Sequence, residues 1–352
     1  MTSARKLISV LYPVLNEEEN ARALAERMLV LTRSNPAYDF EFVVVDDGST
    51  DDTIAVLRDS LESGIVMRTL SLARNFGSHA AISAGLEIVS GDAVIILGAD
   101  LQEPPKLVTD FLAAWEDGHE TVWGIRRERK VPSWKSRLAS ALFSKLLYRF
   151  SELKTYPPEG PSGCLCDREV IDAVLTMPER NRNIYGLIAW VGFRQTRCEF
   201  DQAERQAGHS KWTTSKLIKL AIDSFVQFSA TPIRFMSYAG MTFAGAGFFY
   251  ALFLAIRSLF SSRAPQGWTT VVVVVLVLGG TQLVMLGVLG EYLWRGVHEA
   301  RERPLFITRR TATESVASAN APSAVHITAI ERPTPLLEDG RALQVEVLPE
   351  VS

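Results

Sequence analysis

Apolar and polar positions along this chain follow different rules in different stretches. From residue 7 to residue 123, short apolar runs alternate with segments of helical period. The runs predict strands at 7–12, 40–45, 66–72, 93–97 and 121–123. The periodic segments predict helices at 17–31, 52–61, 78–89 and 106–117, the first with Asn16 as its cap. Strand and helix in strict alternation predict an α/β domain with a mostly parallel sheet covered on both faces. In such sheets ligands bind outside the carboxyl ends of the strands. Acidic residues collect at two of those ends: Asp46-Asp47-Gly48-Ser49 after the second strand and Gly98-Ala99-Asp100 after the fourth.

Farther along, the pattern changes. Residues 235–256 and 269–290 contain no charged side chain. As helices they would each reach about 33 Å, enough for a hydrocarbon core of about 30 Å. The short linker between them makes a two-helix transmembrane hairpin with both ends on one side. Basic residues gather outside it, with Lys211, Lys216, Lys219 and Arg234 before and Arg295, Arg301, Arg303, Arg309 and Arg310 after, whereas the linker has Arg257 and Arg263. This bias puts both termini on the cytoplasmic side of the cell's inner (plasma) membrane, with Trp268, Tyr292 and Trp294 at interfaces. Gly240, Gly245, Gly279, Gly280, Gly287 and Gly290 would permit close helix approach and homo-oligomer contacts. Segments 135–150 and 215–228 read as basic amphipathic helices docking on the bilayer surface. The apolar stretch at 7–15 is broken by Pro13 and is not a signal peptide. Residues 311–352 lack aromatics, are rich in Ala, Ser, Thr and Pro, and are expected to be disordered. The expected organisation is a catalytic-type domain at 1–230, a hairpin at 231–296 and a cytoplasmic tail at 297–352.

Composition changes this picture little. A net charge of −3 over 352 residues argues against a generally basic nucleic-acid binder. The cysteines Cys164, Cys166 and Cys198 are too few, and odd in number, for a disulfide framework, and fit a reducing compartment. Cys164 and Cys166, with no second pair nearby, read as a packed loop pair rather than a zinc site.

The acidic turns carry the candidate chemistry. Two carboxylates at the end of a strand can accept hydrogen bonds from a base N–H or ribose hydroxyls, or lie near a metal, and Gly48 would let backbone approach a ligand. A plain Asp-rich turn with a helix cap is the alternative. Asp100 and Gln102 offer hard oxygen ligands suited to Mg²⁺ or Mn²⁺ shared with substrate phosphates.

Taken in order, Tyr12-Pro13-Val14-Leu15-Asn16-Glu17, Asp46-Asp47-Gly48-Ser49, Arg74-Asn75-Phe76-Gly77, Asp100-Leu101-Gln102-Glu103-Pro104-Pro105, Gly208-His209-Ser210-Lys211-Trp212 and Gly290-Glu291-Tyr292 carry a resemblance. Over about residues 5 to 305 the chain resembles the membrane-anchored polyprenyl-phosphate glycosyltransferases of glycosyltransferase family 2. That group includes dolichol-phosphate mannosyltransferase and bacterial undecaprenyl-phosphate sugar transferases. The resemblance implies a GT-A nucleotide-sugar fold, a UDP- or GDP-sugar donor with UDP favoured, a divalent cation and an undecaprenyl or dolichyl phosphate acceptor. It implies inverting transfer on the cytoplasmic leaflet. By position it places Pro13, Asn16, Glu17, Asp46, Asp47 and Gly48 at the nucleotide, and Asp100 and Gln102 at the metal and diphosphate. Arg126, Arg127, Arg205, Ser210 and Lys211 become candidates for donor and acceptor phosphates.

Two departures stand out. Many relatives have Asp-x-Asp where this chain has Gly98 and Asp100. Relatives also carry an acidic residue, proposed as a catalytic base, that falls here on Ser162 or Glu159. A phosphate monoester is already largely a dianion at neutral pH, its second pKa being about 6, so such an acceptor needs no base. Other readings are a non-catalytic, membrane-anchored nucleotide-sugar binder or scaffold, and a glycosyltransferase with a non-phosphate acceptor. A processive polysaccharide synthase is disfavoured by the lack of a Gln-x-x-Arg-Trp motif.

Overall fold

The structure, a computed structural model, describes residues 5–127, 155–157, 160–179, 182–203, 231–260 and 267–309. Its strands are β1 (Leu7–Val14), β2 (Asp39–Asp46), β3 (Val66–Ser71), β4 (Ala93–Ile96), β5 (Thr121–Arg126), β6 (Gly163–Asp167) and β7 (Gln195–Phe200). Its helices are α1 (Glu18–Ser34), α2 (Thr53–Asp59), α3 (Ser78–Leu86), α4 (Pro105–Glu116), α5 (Arg168–Leu175), α6 (Ile184–Trp190), α7 (Thr231–Phe260) and α8 (Trp268–Ala300).

The strands form one sheet in the order β3-β2-β1-β4-β6-β5-β7. All neighbours run parallel except at β6, which is antiparallel to both β4 and β5. Successive side chains on a strand point to opposite faces, and here both faces are covered. Ile8, Val10, Tyr12, Phe42 and Val44 meet Leu24, Met28, Leu57 and Phe111 of α1, α2 and α4. Leu11, Val43, Val45, Val94 and Ile96 meet Ala81, Ile82, Val170 and Leu187 of α3, α5 and α6. Double burial is why β4 and the Phe42–Val45 part of β2 read as unbroken apolar runs. Pro13 lies beyond the last β1–β4 pair, Leu11↔Ile96, where its missing N–H breaks no ladder bond to β4.

Strands β6 and β7 lie beyond the last strand expected from the sequence. Cys164 and Cys166 are on β6, not in a loop. They share one buried face with their sulfurs 3.7 Å apart, and both are free thiols. Burial, with the Cys164 thiol beside it, pushes the Cys166 thiol up, so this pair packs and does not react. By running backwards between β4 and β5, β6 brings its first residue, Gly163, beside Ile96 at the end of β4, while Ser162 N–H just before it donates to the Gly124 carbonyl of β5 at 3.0 Å.

Helices α7 and α8 hold the charge-free segments. Among the described residues one stretch, Val277–Trp294, is apolar and long enough to cross a membrane. Phe248, Phe249, Val275 and Leu283 on these helices are well exposed. The helices meet where a Cβ on Gly240 would touch the Met285 methyl at 3.0 Å. Gly245, Gly279, Gly280, Gly287 and Gly290 have nothing within 4 Å of that position, so Gly240 alone of these permits the close approach in this structure. After α8 the chain turns back to the sheet. Thr308 forms an antiparallel bridge with Leu72, and Ala73 N–H donates to the Ile307 carbonyl at 2.7 Å. The amphipathic segments 135–150 and 215–228 and the tail from 311 lie outside the described residues.

Candidate active site

The chain leaves β1 to the side of β2 and later returns to β4 on the other side, so the switch in winding direction falls between β1 and β4. The turns after β1, β2 and β4 therefore converge on one edge. The first two are stitched together. Asn16 has φ 50°, a left-handed conformation Asn tolerates. Its side-chain oxygen accepts from Thr50 N–H at 2.8 Å, and its own N–H donates to Ser49 Oγ at 2.9 Å. Glu17 N–H donates to Thr53 Oγ1 at 2.8 Å. Asn16 is thus a cross-strand tie and not the helix cap expected from the sequence. The position before α1 is Glu17, whose side chain makes no capping bond.

Asp46 is buried at the end of β2, and its Oδ1 accepts from Ser49 N–H at 2.8 Å. Asp47 turns the other way. Its two oxygens accept from Phe76 N–H at 2.7 Å and Gly77 N–H at 2.9 Å. Burial raises its pKa, against the pull of those two N–H groups. Asp47 spends both oxygens on the Arg74–Gly77 loop, which it holds in place. Gly48, at φ +78°, lies under the same loop: a Cβ there would be 2.6 Å from the Arg74 carbonyl carbon. The backbone that needs this glycine is the chain's own, not that of a ligand as the sequence suggested.

On the β4 side, Gly98 opens the turn that carries Asp100 and Gln102. Leu101 has φ 58°, a strained backbone of the kind found at binding sites. The turn is pinned from two directions. An Arg27 guanidinium N–H donates to the Glu103 carbonyl, and Ala203 N–H donates to the Gln102 carbonyl at 3.0 Å. Glu103 is 4% exposed, and its Oε2 has no hydrogen-bond partner among the described residues. Burial and the facing Asp100 carboxylate push its pKa up to about 7, opposed by a bond from its own backbone N–H and by the charges of Arg126 and Arg27. Tyr12 Oη, close by, is likewise buried without a partner.

Arg126 ends β5, and its Nε donates to Ser162 Oγ at 2.6 Å. Two residues proposed from sequence for separate roles thus form one unit beside Glu103. Arg127 instead faces Asp201 at 3.1 Å and Glu199 at 3.7 Å in an exposed cluster. Glu159, Arg205, Ser210 and Lys211 lie outside the described residues. Sequence reasoning missed Arg27 and Glu103. Glu103 stands inside a motif but was given no role, and nothing near Arg27 in the chain marks it.

His79, on α3 beside the Arg74–Gly77 loop, stands edge-on to Tyr185 at 6.0 Å. Its Nδ1 is buried without a hydrogen-bond partner among the described residues, and burial lowers its pKa from 6.5 to about 4. The unfolded chain therefore takes up this proton first as pH falls from 6.5 towards 4, and stability drops with it. The loss at pH 4 is about 2–3 kcal/mol. His79→Gln is expected to flatten the dependence of melting temperature on pH between 7 and 4.5. Parallel curves for variant and parent would show that His79 is not the sensor.

A mostly parallel sheet wound from both sides, with acidic turns at its switch point and one reversed strand, defines a GT-A-like α/β domain. The family model "Glycosyl transferase family 2" matches residues 9–175. An uncharacterized glycosyltransferase of Synechocystis sp. is 38% identical over 301 residues, covering 85% of this chain and 94% of that one. The bactoprenol glucosyl transferase of Shigella phage SfII is 34% identical over 304 residues, 86% of this chain and 98% of that one. Among solved structures, glucosyl-3-phosphoglycerate synthase from Mycobacterium tuberculosis aligns with a TM-score of 0.46 at 20% identity, over 64% of this chain and 81% of that one. The chain belongs to glycosyltransferase family 2 and is a glycosyltransferase.

Proposed function

We propose that this enzyme transfers a sugar from a UDP-sugar to a polyprenyl phosphate at the cytoplasmic face of the inner membrane, with inversion at the sugar carbon. One observation carries the reading: the chain matches proteins named bactoprenol glucosyl transferases over nearly their whole length, α7 and α8 included. A catalytic domain alone would not need two long helices with exposed phenylalanines and leucines. Such surface calls for lipid or another apolar partner. The basic residues that flank the two apolar helices support both of them spanning the bilayer with their ends cytoplasmic. Arg301, over the Trp294 ring at 5.6 Å, suits a headgroup boundary at the end of α8.

The proposed chemistry is a single displacement. An acceptor phosphate oxygen bonds to the anomeric carbon as the bond to the nucleoside diphosphate breaks. The acceptor arrives as a dianion, so the protein's task is alignment and charge stabilisation. Asp46, Glu17 and Pro13 border the pocket for base and ribose, and Asn16 and Asp47 fix its walls. Arg126, held by Ser162, offers a planar fork to phosphate oxygens. Arg205, Ser210 and Lys211 are proposed for phosphates on sequence alone. Asp100 and Gln102 would hold a divalent cation, Mg²⁺ or Mn²⁺, whose charge when bound offsets that of the diphosphate. Among the described residues no three His, Cys, Asp or Glu side chains cluster into a cage. Carboxylate and amide oxygens, with a buried acid beside them whose Oε2 has no hydrogen-bond partner among the described residues, nevertheless fit an ion that binds through one or two carboxylates and substrate phosphates.

The test is a panel of radiolabelled UDP- and GDP-sugars given to membranes holding the full chain, with undecaprenyl phosphate and Mg²⁺ or Mn²⁺. One donor is expected to label the lipid fraction with a single sugar. Binding of a donor with no lipid labelled by any would identify a non-catalytic binder instead.

A further inference from the structure

Gly98 has no side chain, yet the place where one would begin is crowded. A Cβ there would meet Asp100 Oδ1 at 3.0 Å and Glu103 Oε2 at 3.7 Å. Two carboxylate oxygens from different residues thus converge on one point. Glu103 Oε2 lacks a hydrogen-bond partner among the described residues although its residue is almost wholly buried. A buried carboxylate oxygen without a partner is costly, and a second carboxylate facing it adds repulsion. The charges of Arg126 and Arg27 ease the carboxylate, but neither bonds Oε2: the hydrogen bond of Arg27 goes to the Glu103 carbonyl and that of Arg126 Nε to Ser162. A cation placed between the two carboxylates would meet Glu103 Oε2 and offset their repulsion.

We infer that Glu103 supplies the second carboxylate of a divalent-cation site with Asp100, and that residue 98 is glycine because both oxygens use the space its side chain would fill. This rests on the reading of Asp100 and Gln102 as the cation end of the donor site. The backbone supports it. Arg27 clamps the Glu103 carbonyl, and Pro104 and Pro105 follow at once, Pro105 opening α4. Glu103 is therefore fixed in direction, as a ligand needs to be. The cation class is hard and oxygen-seeking, Mg²⁺ or Mn²⁺.

Mn²⁺ is the probe. The full chain in detergent is titrated with Mn²⁺, with and without UDP, and free Mn²⁺ is read by electron paramagnetic resonance. Glu103→Gln is expected to weaken Mn²⁺ binding at least about tenfold. Gly98→Ala keeps both acids but pushes on Asp100 Oδ1, and is expected to weaken binding severalfold. Its backbone needs no special conformation, so it serves as the second arm if Glu103→Gln fails to fold. Glu62→Gln, at an exposed ion pair with Arg33, is expected to bind like the parent. Parental Mn²⁺ affinity in a folded Glu103→Gln protein, or in Gly98→Ala if the former does not fold, overturns the inference. Failure of every donor in the panel removes the proposed reaction but leaves this result standing.

Discussion

Asp100→Asn is expected to lower sugar transfer about a thousandfold, whereas Glu159→Gln is expected to cost less than about tenfold. The contrast follows from what the acceptor needs. A sugar hydroxyl must lose a proton to attack, and removing its base costs about a hundredfold to ten-thousandfold. A phosphate monoester has already lost it. The difficulty lies instead at the leaving diphosphate, whose growing charge must be met by preorganised groups. Asp100 is the acid of the β4 turn that would face it, and asparagine keeps its shape while removing its charge. Turnover of purified protein with labelled donor and undecaprenyl phosphate measures both variants. A fall of several orders of magnitude in Glu159→Gln would restore a general base and sink this account of the chemistry.

Gly48→Ala is expected to destabilise the domain by about 2–4 kcal/mol and to weaken UDP binding with it. Two costs add. The position has φ +78°, and the new Cβ would be 2.6 Å from the Arg74 carbonyl carbon and 2.8 Å from Asn75 N. Those are backbone atoms with no rotamer to retreat into. If the 74–77 loop moves, Asp47 loses the Phe76 and Gly77 N–H groups that satisfy its buried carboxylate. Thermal unfolding with a UDP titration reads both effects. An unchanged melting temperature would mean that the loop yields easily and does not brace the pocket.

What the sequence shows and hides in this protein has a physical pattern. Strands β1, β2 and β4 are buried on both faces, so mostly apolar runs mark them, broken only by the buried Ser9 and Glu41 and the aspartates at the ends of β2. Strand β7, Gln-Thr-Arg-Cys-Glu-Phe, lies at the sheet edge, half exposed, and carries little apolar signal. Strand β6 is short, and its cysteines read as a packed pair in a loop rather than as strand positions. The acidic turns are legible because strand ends and glycines punctuate them. Their wiring is not, since it joins residues distant in the chain: Asn16 to Thr50, Asp47 to Gly77, Arg27 to Glu103. Glu103 looks like one more polar residue until its direction relative to Gly98 is known.

The return of the chain after α8 has a kinetic consequence. From Ala300 to Ile307 the polypeptide can span at most about 25 Å, and Ile307 accepts a hydrogen bond from Ala73, at the entrance to the Arg74–Gly77 loop. With α8 in the bilayer as proposed, that edge of the sheet cannot drift away from the membrane surface. Enzyme and lipid acceptor then meet by lateral diffusion in two dimensions. Turnover would be governed by the acceptor's mole fraction in the leaflet, and diluting the same membranes in more buffer would leave the rate per enzyme unchanged.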